Sequence, residues 1–210
     1  MNSLNSFPGS TWERLYRGSA SVETVKDSRL TMSDIIICPG IHPSALTQEF
    51  LQGLGWQPDN MLIFPTEKYP AYSWFDILQF LRYNICPESP LIAIGFSAGA
   101  VGAIGACWAW QMLGGRVKAF IALDAWGVPL WGNFPIHRLS HDYFTHWTSA
   151  LLGAGEDSFY AEPPVEHLDL WREPQSVQGW WVSGAEGKSL TPLTAAGFLR
   201  NLLERYKEPR

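Results

Sequence analysis

Charge is scarce in this chain, and positive charge scarcer still. Charged residues make up 17% of its 210 residues, with 15 Lys and Arg against 20 Asp and Glu, for a net charge of −5. No basic block gathers the positive residues locally, which argues against nucleic acid as a partner, because its binding needs clustered Lys and Arg. Cysteine is limited to Cys38, Cys86 and Cys107. An odd count without metal-ligand spacing speaks against a disulfide framework and predicts inert, buried thiols in a reducing compartment. Long apolar runs are missing as well. None reaches the roughly 18 residues that a membrane span requires, and the N-terminus has no secretory apolar core. The expectation is a cytoplasmic protein without an integral membrane segment. What the chain does have is apolar mass: 46% of residues are hydrophobic, and 11 are Trp. That composition supports a large core and opposes disorder. It also leaves tryptophans to wall a binding site.

Residues 1–31 are polar, Ser-rich and Gly-rich, without sustained periodicity. Two readings stand open for them: a disordered extension ahead of a start at Met32, or an arm docked through Trp12, Leu15, Tyr16 and Val22. From residue 32 to 210 the pattern is that of one domain. Apolar runs at Asp34–Cys38, Met61–Phe64, Leu91–Phe96 and Val117–Leu123 read as buried strands. Amphipathic spacing at Ala45–Leu54 and Trp74–Ile85, and a small-residue run from Ala98 to about Leu113, read as helices between them. This order predicts an α/β fold, a mostly parallel sheet with helices on both faces. Such sheets bind their ligands at the carboxyl ends of strands. Further along, a helix is expected over Ser140–Leu152 and a short strand at Ser158–Tyr160. A late edge strand is expected at Gly179–Ser183, and a final helix capped by Thr191 or Thr194.

The most informative stretch is Gly95-Phe96-Ser97-Ala98-Gly99, which ends an apolar strand and opens a small-residue helix. A serine on that turn is held in a cramped conformation with its hydroxyl exposed above the sheet. Gly95 and Gly99 let strand and helix pack close beside the bend. In this context the chain resembles the α/β-hydrolase superfamily over roughly Asp34–Tyr206, a compact version with at most a small lid. The resemblance implies that Ser97 is the nucleophile, Asp124 at the next strand end the acid, and His167 the base, in the family's order. It also implies an oxyanion hole made by the N–H groups of Ala98 and Ile41, with His42 lining the pocket. Rivals stay open: Asp142, Glu156 and Asp157 for the acid, and His137, His141 and His146 for the base. Glu166 and Asp169 flank His167 as solvated charges able to tune it.

His137 and His141 are four residues apart, a spacing that suits zinc on a helix, but His146 drifts off that face. No H-E-x-x-H pattern is present either. No metal or cofactor is therefore expected. Residues 126–150 are read as a possible small lid whose underside carries Trp126, Leu130, Trp131, Phe134, Phe144 and Trp147. Together with His42 and Phe96, Trp126 and Trp131 are the candidate substrate contacts. The functional expectation is a serine hydrolase for a small apolar ester or thioester. The alternative is an inactive protein of hydrolase fold that binds an apolar ligand or a protein partner. Substrate identity and oligomeric state are left open by the residues.

Overall fold

The computed structural model describes residues 33–55, 58–184 and 189–207. The extension expected at residues 1–31 lies outside them. Strands β1 (Asp34–Cys38), β2 (Met61–Ile63), β3 (Pro90–Phe96) and β4 (Arg116–Leu123) alternate with helices α1 (Ser44–Leu54), α2 (Trp74–Asn84) and α3 (Ala98–Met112). There follow β5 (Ile136–Ser140), α4 (Tyr143–Ala150), β6 (Asp157–Ala161), α5 (His167–Arg172), β7 (Gln178–Val182), β8 (Leu190–Thr194) and α6 (Ala195–Lys207). The strands form one eight-stranded sheet in the order β2-β1-β3-β4-β5-β6-β7-β8. All neighbours from β2 to β6 run parallel, and β7 and β8 close the sheet antiparallel.

Both faces of the sheet are covered, as the unbroken apolar strands require. Successive side chains point to opposite faces, so Ile35, Ile37, Ile92 and Ile94 join one core with Phe50, Trp171 and Leu199. Ile36, Cys38, Leu91 and Ala93 join the other with Leu81, Ala103 and Trp110. The α/β class, the mostly parallel sheet and the helices on both faces are as expected. Among the described residues, no helix is long and apolar enough to cross a membrane.

Four features differ from expectation. The stretch 126–150 contains β5, a strand buried at all five positions between β4 and β6. It cannot be a lid along that length, and the helix expected from Ser140 begins only at Tyr143. β5 escapes an apolar search because it reads Ile-His-Arg-Leu-Ser; its burial is made possible by hydrogen bonds, not by hydrophobicity. The Arg138 guanidinium donates to the carbonyls of Gly153 (2.6 Å), Val128 and Leu152 (both 3.3 Å). Next, β7 is not an edge strand, since β8 covers it. His167 opens a helix, α5, at a place where no element was expected. Lastly, Cys86 is exposed, whereas Cys38 and Cys107 are buried as expected, with burial pushing the Cys107 thiol up to about 12.

Candidate active site

The turn after β3 has the shape that its spelling implies. Ser97 takes φ 52° and ψ −122°, a conformation that costs a residue with a Cβ about 1–3 kcal/mol. Its N–H donates to the Leu123 carbonyl at 2.9 Å, which ties the bend to the end of β4. Its side chain makes no capping bond to α3. The glycines around it permit close approach: a Cβ on Gly99 would lie 2.1 Å from the Cys38 carbonyl oxygen, and one on Gly95 2.6 Å from Ala100 Cα. Gly40 does the same for the loop after β1, where a Cβ would stand 3.2 Å from Ser97 Cβ.

That loop therefore lies directly beside Ser97. Ala98 is the first residue of α3, so its N–H has no partner within the helix. Ile41, whose N–H is the other expected oxyanion donor, is 76% exposed. A cleft of about 250 Å³ opens at this point, lined by Gly40, Ile41, His42, Thr66, Pro70 and Tyr72 among others.

Asp124 follows β4 in a left-handed conformation, φ 47°, which Asp tolerates better than most residues. Its N–H donates to Leu139, the neighbour on β5, at 2.8 Å. The carboxylate is almost wholly buried and carries three bonds. Oδ1 accepts the His141 backbone N–H at 2.8 Å. Oδ2 accepts Nδ1 of His141 and Nδ1 of His167, each at 2.8 Å. Burial alone would raise the Asp124 carboxyl, but these bonds outweigh it and hold the group below its ordinary value. The Asp124 bond raises the His141 imidazole; burial partly opposes this, and the charges of Asp124, Asp142 and Glu166 reinforce it.

An ionised carboxylate only accepts, so both Nδ1 atoms are donors, and each neutral ring presents an unprotonated Nε2. The two Nε2 atoms differ in surroundings. His141 Nε2 lies 3.6 Å from an Asp142 carboxylate oxygen. His167 stacks on Phe96, the residue before Ser97, with ring centroids 4.7 Å apart. Phe96 stacks in turn on Trp171, and Trp171 on Phe50. This aromatic column seats the His167 ring beside the Ser97 turn. No hydrogen bond joins Ser97 Oγ to either ring among the described residues; in an empty site that contact often tightens only with substrate.

The structure thus brings together Ser97, Ala98, Asp124, His167 and the Gly40–His42 loop. It sets other candidates apart. Asp142 caps α4 through the Thr145 N–H at 2.6 Å, and Asp157 is bound by Arg205 at 2.5 Å. His137 is fully buried against Tyr206, while His146 packs on Tyr143 and Tyr160. Asp169 is paired with Arg172.

Phe96 is 1% exposed, so it supports the site from beneath and cannot be the substrate contact expected. Leu130 and Phe134 are likewise buried in the core. Trp126 and Trp131 remain at the surface, Trp126 bonded to Thr148 and Trp131 stacked on Trp108. The sequence reading missed that His141 shares the acid. The signal was there: His141 follows a strand that ends level with Asp124, but that strand was not recognised.

Asp124, His141 and His167 also place three donor atoms within 4.8 Å of one another. Donors around a tetrahedral zinc at about 2.0–2.1 Å stand about 3.3 Å apart, whereas both nitrogens here sit 2.8 Å from the oxygen. The group fits a hydrogen-bonded set better than a metal centre.

No family model and no curated protein matches the chain. Among solved structures, it is similar to YbtT, a type II thioesterase from the yersiniabactin biosynthetic pathway, at 13% identity and a TM-score of 0.49, over 70% of this chain and 90% of that one.

Proposed function

We propose that the protein is a serine hydrolase that cleaves an ester or thioester of an apolar acyl or aryl group through an acyl-Ser97 intermediate. The observation that carries this reading is the His167 ring. Its Nδ1 is anchored on buried Asp124, which leaves Nε2 as the nitrogen that can accept a proton when the ring is neutral, and it stacks on the residue adjoining a strained serine. Ser97 Oγ attacks the substrate carbonyl carbon as its proton passes to His167 Nε2. Asp124 stabilises the imidazolium that forms. The oxyanion develops toward the N–H groups of Ala98 and Ile41. Collapse breaks the bond to the alcohol or thiol, which leaves with the proton from His167. Water then enters by the same steps in reverse and frees the acid.

A fluorophosphonate probe tests the reading directly. Wild-type protein should label at one residue and turn over a short p-nitrophenyl ester, and Ser97→Ala should do neither while keeping its circular dichroism. A folded wild type that neither labels nor hydrolyses p-nitrophenyl or acyl-thioester substrates overturns the proposal. It would leave the non-catalytic binding protein as the reading.

A further inference from the structure

Asp124 holds one imidazole more than a three-residue relay needs. His167 and His141 donate to the same oxygen at the same 2.8 Å, and the His141 backbone N–H occupies the other oxygen. We propose that His141 is a positioning residue: it shares the Asp124 carboxylate with His167, and a positive charge on its ring slows the reaction at Ser97. The inference rests on the hydrolase reading above.

The geometry gives both halves of the argument. Two bonds from one residue, to Oδ1 and Oδ2, leave the carboxylate no freedom to turn away from His167. The His141 ring is also placed to take up charge. The titratable and charged groups facing it are Asp124 from the end of β4, Asp142 beside it at 3.6 Å, Glu166 at the start of α5, and His167 itself. Three of these are carboxylates. These carboxylates raise the His141 imidazole, so its ring is placed to gain a proton as pH falls. That charge stands 6.1 Å, ring centre to ring centre, from the imidazolium that must form on His167. Repulsion at that distance in a partly buried site slows the reaction about 10- to 100-fold.

The pH dependence follows with a definite sign. At high pH His141 is neutral and turnover is full. As pH falls past the raised His141 value, kcat/KM should drop about 10-fold or more, because the charge on His141 opposes the imidazolium that must form on His167. His141→Gln keeps a donor for Asp124 but cannot become charged. Its kcat/KM should hold to lower pH than that of the wild type.

The test measures kcat/KM for a p-nitrophenyl ester from pH 5 to 9 in both proteins, with ring NMR titration of His167 in parallel. In His141→Gln the His167 midpoint should rise, since a neighbouring positive charge has gone. Turnover with the same acid limb in both proteins, and an unmoved His167 midpoint, overturns the inference and leaves the hydrolase intact. Absence of turnover in the wild type overturns the hydrolase reading instead. The NMR arm then still decides whether the two rings are coupled, and an unmoved midpoint would end that claim too.

Discussion

At the carboxyl edge of the sheet, Asp124 meets His141 and His167; at the amino edge, Asp157 meets His137. The partners are alike in kind, yet the two clusters treat their histidines oppositely. His141 and His167 are partly exposed, and His141 is raised by the carboxylates around it. His137 is fully enclosed. Burial pushes it down to about 4, against the pull of Asp157 and with a push from Arg205. Asp157 satisfies itself elsewhere, on Arg205 at 2.5 Å and the Trp181 indole at 3.2 Å. An imidazole that must gain and lose a proton needs solvent on one side and a carboxylate behind it. One locked between Tyr206 and the start of β6 is a neutral structural group.

The contrast can be broken most sharply at the acids. Asp124→Asn should lower kcat by about 10⁴-fold with little change in the melting curve, because the His167 tautomer is lost and the fold is not. Measured kcat within ten-fold of wild type would remove Asp124 from the mechanism.

For the second cluster the readout is stability against pH. His137 binds no proton in the folded state above about 4, while an unfolded His protonates near 6.5. The unfolded chain therefore binds more protons between those values, and stability present at pH 7 is lost as pH falls through the window. The span corresponds to about 3 kcal/mol. Urea midpoints at pH 7 and pH 4.5 should fall together less in His137→Gln than in wild type. An equal fall would show that another group carries the acid sensitivity.

Asp157→Asn should cost about 2 kcal/mol in urea unfolding, a discounted value because Arg205 is about a third exposed. It should leave kcat within about two-fold. Loss of activity without loss of stability would reverse the roles assigned to the two carboxylates. The smallest effect is at Ser97 itself. Ser97→Gly should be about 1 kcal/mol more stable than Ser97→Ala, since only glycine adopts φ 52° and ψ −122° without strain. Equal melting temperatures for the two would mean that the turn stores no strain.

The two halves of the sheet differed in how far they could be read beforehand. β1, β3 and β4 are apolar at nearly every position, because both of their faces are covered by packed side chains. Their ends, and with them Ser97 and Asp124, were legible. β5 hides its burial behind His137, Arg138 and Ser140; the partners of His137 and Arg138 lie at 128, 152, 153, 157 and 206, well away from them in the chain. Windowed hydrophobicity cannot register a polar group made harmless by a distant partner. The lid expected over 126–150 and the place of His141 were misread for that one reason. β8 was missed because it is a short, exposed edge.

The residues themselves determined the order of strands and helices as far as β4, the strained serine turn and the strand-end Asp124, because these depend on local pattern: apolar runs, small residues, and glycines where backbones touch. Tertiary structure decided which imidazoles meet Asp124. His141 and His167 lie 17 and 43 residues from it in sequence, and only the parallel register of β4 with β5 and the placing of α5 over Phe96 bring both to one oxygen. No local pattern encodes a distance between loops; the packing of the sheet does.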